Sequence, residues 1–367
     1  MSFPVLRTPH VSTIVLATAA ASGIAAAATF ILLRHRAASK NNFVPVGRVA
    51  NIFIYPIKAI AGIEVPYADC VVTGPVYEGL RDRFMLIVKG DNFISMREEP
   101  RLGLIKTSFE NGKLTLMADG HPPLVIDACD PDELSKPSFT VRQVIVKHFF
   151  PWCSVLVKHG SGPNVVYSSP THCSVHRMRK FSYNAVEVSE EASKWLGEYL
   201  QKDDIRLVRI ILDQETLDRG RNCPVSLVCH DESAFHVLSK GSLDDLWSKL
   251  PPGSNIGRKN FRPALFIDEC EAYAEDHWGR MKIGDAEMAL SHRTTRCLVT
   301  TVDQDAGVRT DKEPLVTLRK YRVDKSPKGI EKYTHQPLFG ISTYHIKDGR
   351  VKVGDTVYAV VSPEPLL

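Results

Sequence analysis

The sequence predicts an α+β fold that is built around a β-barrel. Short β-branched and aromatic segments recur along the chain and are separated by strong turn dipeptides, whereas only a few segments have an amphipathic helical pattern. No repeat of about 20–50 residues is visible, which argues against a solenoid or a propeller. The length of 367 residues is sufficient for two domains.

Hairpins are the strongest local signal in the sequence. Ile105–Phe109 and Leu114–Met117 flank Asn111-Gly112, a dipeptide that favours the tight turn between two antiparallel strands. Similar patterns predict the strands Phe84–Val88 and Phe93–Met96, a strand pair divided by Gly284-Asp285, a hairpin in which Asp348-Gly349 joins Thr343–Ile346 to Val351–Val353, and a last strand at Val357–Val361.

Two helices are clear from the pattern of apolar residues. Ser189 precedes Glu190 and Glu191 and a run of apolar residues at helical spacing, so Ser189 is the expected N-cap. Ser242 and Asp245 resemble a capping box and predict that a second helix begins there.

Composition excludes several classes of protein. The chain is 44% hydrophobic and 24% charged, which is ordinary for a globular protein and not for a collagenous, disordered or many-span membrane chain. The eight cysteines contain no pair at zinc-ribbon or thioredoxin spacing, and so sparse a set suits scattered thiols in a reducing compartment.

The net charge of +4 comes from the first part of the chain. Six basic residues and no acidic residue precede Glu64, and without them 40 basic residues face 42 acidic ones. The body therefore has no excess of positive charge, and we expect no nucleic acid as a partner.

The N-terminal region, residues 1–42, is predicted to be a signal anchor followed by a short linker. Val11–Leu33 contains no charged residue and would be roughly 34 Å long as a helix, enough to cross the hydrocarbon core of a bilayer. Arg34, Arg36 and Lys40 follow this run, which favours a body on the cytosolic side. The alternative is a cleaved signal peptide.

Only one segment carries a chemical signal that is independent of any known family. Arg296-Cys297 is followed by a β-branched run, and a basic neighbour could stabilise the thiolate of Cys297. The alternative is a buried strand cysteine beside a solvated arginine. The sequence contains no nucleotide-binding, zinc-protease or serine-hydrolase motif that offers a rival site.

Arg296-Cys297 and the residues after it resemble the MOSC domain, which also occurs in molybdenum-cofactor sulfurases. Similar motifs occur in the same order along much of the chain: Ile54–Lys58, Leu80–Phe84, Glu99–Leu102, Asn260–Pro263, Ala274–Asp276, Ile283–Asp285, Thr300–Asp303, Lys312–Leu315 and Pro337–Gly340. With the N-terminal leader, the chain resembles the family of mitochondrial amidoxime-reducing components, which are molybdoenzymes of the outer membrane.

This resemblance refines the expected architecture. It implies an N-terminal MOSC-associated β-barrel-like domain at 43–200 and a β-barrel-based MOSC domain at 201–367, preceded by the transmembrane helix. Residues 127–172 match the family poorly and contain no matched cofactor position. We interpret them as an unusual insertion, and the alternative is an error in the gene model.

The resemblance also implies a molybdenum-molybdopterin cofactor and the residues that hold it. Cys297 matches the catalytic metal ligand, and a soft thiolate suits a metal that already carries dithiolene sulfur. Arg83 and Arg262 match cofactor contacts, where guanidinium groups can pair with phosphate and polar pterin edges. Lys58 matches a further contact. For each arginine the alternative is a structural or solvated side chain.

Two further positions are assigned to cofactor binding with open alternatives. Ser233 lies where the family lines the cofactor pocket, but it could equally cap a helix. Arg296 could supply hydrogen bonds beside the metal, or it could form a surface ion pair. Asp303 is interpreted as a turn former and not as an acid catalyst.

Some positions depart from the family pattern. Ala59 stands where a serine is usual, and Thr294 replaces a frequent cysteine. In the turn after Asp303, Gln304 and Ala306 replace proline and threonine, so a rigid residue and a hydroxyl group are lost.

The resemblance implies a reductase of N-hydroxylated compounds, such as amidoximes, hydroxylamines and N-hydroxylated bases. Its electrons would come from NADH through NADH-cytochrome b5 reductase and cytochrome b5. One alternative is a cofactor-binding or persulfide-carrying MOSC module without N-reductase activity, and another is an inactive membrane scaffold. A description as a pyridoxal phosphate protein would follow only from homology to sulfurases, because no aminotransferase-like domain is recognisable.

The charge distribution around the leader predicts the topology at the mitochondrial outer membrane. We expect protease added to intact mitochondria to digest the body, since the basic residues after the span keep the C-terminal side in the cytosol. Immunoblotting before and after osmotic rupture of the outer membrane measures how much of the body is digested. Protection of the body until rupture would contradict the predicted orientation.

Overall fold

The computed structural model describes residues 42–129, 139–145, 179–212, 217 and 228–367. The predicted anchor at Val11–Leu33 and most of the segment 127–172 lie outside these residues. Within the described part of the chain, no helix has the length and apolar character needed to cross a bilayer.

The described chain is mainly β-structure with a few short helices. The strands are β1 Val44–Ile54, β2 Ile63–Val65, β3 Tyr67–Val71, β4 Gly74–Tyr77, β5 Leu80–Arg81, β6 Met85–Lys89, β7 Asn92–Phe93, β8 Lys106–Glu110, β9 Lys113–Met117, β10 Leu124–Asp127, β11 Phe139–Ile145, β12 Arg179–Glu187, β13 Ile205–Ile211, β14 Phe235–Ser239, β15 Leu265–Asp268, β16 Trp278–Ile283, β17 Ala286–Thr295, β18 Val302–Asp303, β19 Val308–Arg309, β20 Leu338–Lys347, β21 Gly349–Lys352 and β22 Thr356–Val361. The helices are α1 Glu190–Leu200, α2 Lys240–Lys249, α3 Arg258–Phe261, α4 Leu315–Tyr321 and α5 Pro327–Tyr333. The predicted α+β class with a β-barrel is confirmed.

The largest sheet has the strand order β15-β14-β20-β17-β16-β22-β1-β2, and β15 also pairs with β1. The sheet therefore curls back on itself. Its inner face is filled by large apolar side chains, among them Trp278, Ile52 and Phe235. Burying aliphatic and aromatic side chains stabilises such a core by about 1.5–3 kcal/mol per residue.

A closed barrel is formed by β11, β12, β13, β6 and β7. Its buried residues include Leu86, Val88, Val208 and Ile210. The three-stranded sheet β8-β9-β10 and helix α1 belong to a second apolar cluster that extends this barrel.

Strand pairing crosses the expected boundaries of the insertion and of the domains. β11 lies inside the segment 127–172 and pairs with β12 over its whole length, so this part is barrel wall and not a loop insertion. β13 lies beyond the expected boundary at 200, yet it pairs with β6 of the barrel. Conversely, β1 pairs with β15 and β22 of the large sheet. The two predicted domains are therefore interleaved in sequence.

The hairpin predictions have mixed outcomes. β8 and β9 pair across Asn111-Gly112, and β16 and β17 pair across Gly284-Asp285, as predicted. The hairpin at Asp348-Gly349 is wrong, because β20 pairs with β14 and β17 whereas β21 pairs with β3 of another sheet. Asp348 instead connects β20 of the large sheet directly to β21 of another sheet.

One of the two predicted helix starts is confirmed and the other is wrong. The hydroxyl oxygen of Ser189 accepts a hydrogen bond from the Ala192 N–H at 3.1 Å, so Ser189 caps α1 as predicted. The cap of α2 is Ser239 and not Ser242. Ser242 is fully buried and donates to Glu275. The capping-box pattern therefore placed the start of this helix three residues too late.

Gly340 allows β20 to approach β14 closely. Its φ is +73°, and a Cβ at this position would lie 2.7 Å from the Val237 carbonyl oxygen and 2.9 Å from the His236 ring. Glycine is required here both by the left-handed backbone and by the lack of space.

We predict that Gly340→Ala is more destabilising than the same change in the hairpin at Gly112. Gly112 also has positive φ, at +76°, but a Cβ there would meet nothing within 4 Å. Gly112→Ala should cost about 1 kcal/mol of backbone strain, whereas Gly340→Ala should cost a further 1–3 kcal/mol or so because of steric overlap. Urea unfolding of both variants measures the difference, and equal losses would contradict the close approach.

Candidate cofactor-binding site

A polar cleft of about 210 Å³ lies between the barrel and the large sheet. All of the residues predicted to form the site line this cleft: Lys58, Arg83, Ser233, Arg262, Arg296 and Cys297. They come from segments that are up to 239 residues apart in sequence. The fold therefore brings the predicted set together.

Arg83 and Arg262 lie against one aromatic ring. Their guanidinium carbons are 4.8 Å and 4.2 Å from the centroid of the buried Tyr55 ring. Both residues have left-handed backbone, with φ of +52° and +54°, a conformation that is uncommon for residues other than glycine and that is often found at functional sites. The ring faces two cations, an arrangement that favours cation–π attraction.

Arg262 has no carboxylate partner among the described residues. Burial and the charge of Arg83 lower the pKa of Arg262 to about 10. Its Nη2 atom is buried and makes no hydrogen bond within the described structure. This guanidinium therefore offers a free donor to an anionic or polar ligand in the cleft.

The carboxylate of Asp82 fixes the position of Arg83. It accepts hydrogen bonds from Arg83 Nη1 at 2.5 Å, the Tyr55 N–H at 2.6 Å and His230 Nε2 at 2.8 Å. Burial opposes its ionisation, but Arg83 and His230 outweigh that effect and hold the pKa of Asp82 below its ordinary value. Burial lowers the pKa of His230, so we assign a neutral imidazole that donates to an ionised Asp82.

Lys58 reaches the cleft from the loop after β1. Its Nζ donates to the Cys229 carbonyl and to Asp231 Oδ1, both at 2.6 Å, and lies 5.2 Å from the Phe93 ring centroid. The side chain is buried although its ion-pair partner is half exposed. Lys58 is therefore held in place by protein contacts, with its charge at the wall of the cleft.

Cys297 is exposed and precedes the 3-10 helix Leu298–Thr301. Its carbonyl oxygen accepts from the Thr300 N–H at 3.0 Å and from the Thr300 hydroxyl at 2.9 Å. The backbone around the thiol is fixed while the thiol itself remains accessible. The alternative of a buried strand cysteine is therefore wrong.

Arg296, next to it, is buried and does not form a surface ion pair. Its Nε donates to the Phe339 carbonyl at 2.9 Å, and its Nη2 contacts His236 Nε2. Burial lowers the pKa of Arg296 to about 10. Burial and Arg296 together hold the pKa of His236 well below its ordinary value, so a neutral His236 accepts from Arg296.

The structure decides the alternatives for Ser233 and Asp303. Ser233 does not cap a helix, because strand β14 follows it and its hydroxyl donates to the Phe235 carbonyl at 3.2 Å. Asp303 Oδ1 accepts from the N–H groups of Asp305 and Ala306 at 2.9 and 3.1 Å. Asp303 is thus a turn former, as predicted, despite the missing proline.

Several residues of the cleft were missed by sequence reasoning, and three of them have clear roles. Arg97 lies beside Cys297, His236 faces Arg296, and Glu232 connects the cleft to neighbouring strands. The Glu232 carboxylate accepts from the Thr295 hydroxyl at 2.8 Å and bonds His292 Nε2 at 2.7 Å. Arg97 precedes Glu99–Leu102 by two residues, and this nearby motif was the one available signal.

Two family models match this chain. One is described as the MOSC N-terminal beta barrel domain and matches residues 46–146, and the other is described as the MOSC domain and matches residues 225–358.

Curated relatives match almost the whole length. Mitochondrial amidoxime-reducing component 1 of Mus musculus is 33% identical over 351 residues, which cover 92% of this chain and 90% of the relative. Mitochondrial amidoxime reducing component 2 of Rattus norvegicus is 32% identical, with 93% and 92% covered, and its Homo sapiens counterpart is 31% identical with the same coverage. The chain belongs to the family of mitochondrial amidoxime-reducing components.

Three of the departures from the pattern of the amidoxime-reducing components have a clear place in the structure, two of them in the cleft. Ala59 lines it with φ of +72°. Thr294 also lines the cleft, and its hydroxyl bonds Ser342 at 2.9 Å. Gln304 is buried and donates to the Lys259 carbonyl at 2.9 Å, which ties the turn after Asp303 to α3.

The residues present fit the molybdenum-molybdopterin cofactor implied by the resemblance. An anionic phosphate would supply the counter-charge that Arg262 lacks, and the unpartnered Nη2 atom would donate to it. The buried Nδ1 atom of His236 also makes no hydrogen bond within the described structure. A polar ligand would satisfy such donors, because buried polar groups are normally paired. Cys297 offers the accessible sulfur that a metal in this cleft would require.

We predict that Asp82→Asn destabilises the fold strongly at neutral pH. Removing one charge of a buried network costs about 3–5 kcal/mol, whereas Asp69→Asn, in a half-exposed pair with Arg350, should cost less than about 1 kcal/mol. Because the folded pKa of Asp82 lies below the ordinary value of 3.8, its stabilisation is present above that pH and is lost as the pH falls through the folded pKa.

Urea unfolding of the wild type and both variants at pH 7 and at decreasing pH measures the loss in free energy of unfolding and its pH dependence. A loss for Asp82→Asn as small as that for Asp69→Asn would contradict the role of the buried carboxylate. A difference from the wild type that grows as the pH falls would contradict the sign of its pKa shift.

Proposed function

We propose that this protein is a molybdenum-cofactor-dependent reductase of N-hydroxylated compounds, including amidoximes, hydroxylamines and N-hydroxylated bases. The observation that carries the proposal is one cleft that contains an exposed thiol and the buried guanidinium of Arg262, which has no carboxylate partner among the described residues. The names of the relatives, which are amidoxime-reducing components, support the same reaction class.

Binding of the cofactor is assigned to the basic wall of the cleft. Arg83 and Arg262 would pair with phosphate and polar pterin edges, since planar guanidinium groups form bidentate hydrogen bonds with such groups. Lys58 adds a fixed positive charge, and Ser233 and Arg296 line the remaining wall. Asp82 keeps Arg83 in position because it is fully buried and bonded to three donors.

Cys297 is assigned as the protein ligand of the metal. Its backbone is fixed by hydrogen bonds from Thr300, so the ligand would be presented from a preorganised backbone. The bound cofactor supplies the two-electron redox chemistry of the reaction. The residues of this chain position it, exclude competing ligands and leave the thiol side open to substrate.

The overall reaction consumes two electrons and two protons for each N–O bond that is broken, and it releases the oxygen as water. We assign the electron supply to NADH through NADH-cytochrome b5 reductase and cytochrome b5. We also assign the protein to the mitochondrial outer membrane, anchored once through its N-terminal segment with the body in the cytosol. The word mitochondrial in the names of the relatives supports the organelle.

We predict that Cys297→Ser abolishes reduction of an amidoxime and leaves the fold intact. A hydroxyl group has nearly the volume of a thiol but is a poor ligand for a metal with sulfur donors. NADH-coupled turnover of benzamidoxime with cytochrome b5 and its reductase measures activity, and circular dichroism with thermal unfolding measures the fold. Cys129→Ser is the matched control, because Cys129 is also exposed but does not line the cleft.

Molybdenum analysis of the purified protein separates this proposal from its alternatives. A stoichiometric molybdenum content with NADH-coupled turnover supports the reductase. Molybdenum without turnover would favour the carrier module, and a metal-free wild-type protein would favour the scaffold. Wild-type turnover in Cys297→Ser would overturn the assignment of the ligand.

A further inference from the structure

Arg97 is contributed to the cleft by the N-terminal part of the chain. It follows β7 in a segment whose Phe93 and Met96 also line the cleft. Cys297 comes from a distant part of the sequence, after β17. Arg97 and Cys297 therefore face one cavity from two interleaved parts of the fold.

The backbone of Arg97 is held at both of its polar groups. Its N–H donates to the Ser95 hydroxyl at 3.2 Å, and its carbonyl oxygen accepts from Arg309 Nη1 at 2.5 Å. Ser95 is itself fixed, because its N–H and hydroxyl donate to Glu98 at 2.8 and 3.0 Å. The side chain thus extends from a rigid turn, as a preorganised site requires.

Arg309 connects this turn to the segment that carries the thiol. β19, which contains Arg309, pairs with β18 immediately after the 3-10 helix that begins beyond Cys297. The neighbouring Thr310 donates through its N–H to the Thr301 carbonyl at 3.0 Å. The turn that carries Arg97 and the segment that carries Cys297 are therefore both attached to the β18–β19 pair. Backbone contacts fix the position of one relative to the other.

The Arg97 guanidinium has acidic groups and the Cys297 side chain near it, and one of its donor atoms is unused. Burial lowers the pKa of Arg97, but Cys297, Asp231 and Glu98 outweigh this effect and raise it. The Nε atom is buried and makes no hydrogen bond within the described structure. A charged donor with spare capacity thus lies beside the one exposed thiol of the cleft.

We propose that Arg97 is a positioning residue that donates a hydrogen bond to the sulfur of Cys297 when that sulfur binds the metal. This inference rests on the proposed function. Hydrogen bonds and positive charge at a ligand sulfur stabilise the reduced state of a metal centre and raise its reduction potential. Arg97 therefore sets the potential at which the site accepts electrons and does not itself contact the substrate.

The test compares the full-length, cofactor-loaded wild type with Arg97→Gln and Arg97→Lys. Arg97→Gln removes the charge and keeps a donor, and Arg97→Lys keeps the charge but loses the planar fork. Lys106→Met is the control, because it removes an exposed charge of the same region that does not line the cleft. Molybdenum content, the Mo(VI)/Mo(V) midpoint by EPR-monitored titration, and kcat and KM for benzamidoxime are measured.

We expect Arg97→Gln to keep its molybdenum, to have a lower midpoint and a kcat reduced about tenfold, and to keep KM within about twofold because the substrate contacts are unchanged. Arg97→Lys should lie between Arg97→Gln and the wild type. Lys106→Met should match the wild type in all four measurements.

Two outcomes would overturn the inference while leaving the proposed function intact. An unchanged midpoint with a raised KM would mean that Arg97 binds substrate, and loss of molybdenum from folded Arg97 variants would mean that it binds the cofactor. If Arg97→Gln does not fold, a wild-type midpoint in Arg97→Lys overturns the inference. A wild-type protein without molybdenum would instead remove the proposed function, and this inference with it.

Discussion

The buried carboxylate of Asp82 is the interaction on which the site depends. It joins the end of β1, through the Tyr55 N–H, to Arg83 before β6 and to His230 before β14. A buried charge is tolerated only when it is paired and fully hydrogen-bonded. Three chain segments must therefore meet correctly before this carboxylate is stable, and their meeting also places Arg83 and Tyr55 beside the cleft.

The cleft concentrates positive charge without neutralising all of it. Asp82 compensates Arg83, and Asp231 compensates Lys58, whereas Arg262 and Arg296 have pKa values lowered to about 10 by burial. Such groups cost stability in the free protein and become favourable once an anion is bound. Binding of an anion, such as the phosphate of the proposed cofactor, would recover the free energy that burial of these arginines costs. The exposed Cys297 lines the same cleft.

Sequence reasoning identified six residues that line the cleft but little of what supports them. Motifs at Lys58, Arg83, Arg262 and Cys297 are local, so they could be recognised one at a time. Arg97, Glu232 and His236 were missed because their roles arise from contacts with strands far away in sequence. The error at Asp348-Gly349 has the same origin. A turn dipeptide predicts a reversal of the chain, but the choice of partner strand is made by long-range pairing.

The interleaving of β1 with β15 and β22 has a consequence for biosynthesis. β1 begins at Val44 and its partner β22 begins at Thr356, so two neighbouring strands of the large sheet are separated in sequence by almost the whole described chain. The large sheet cannot close before β22 has been synthesised, and until then its apolar face is exposed, a period in which unpaired strands are prone to aggregate. A chain truncated before Thr356 leaves β1 without this partner, and the sheet that adjoins the cleft stays open.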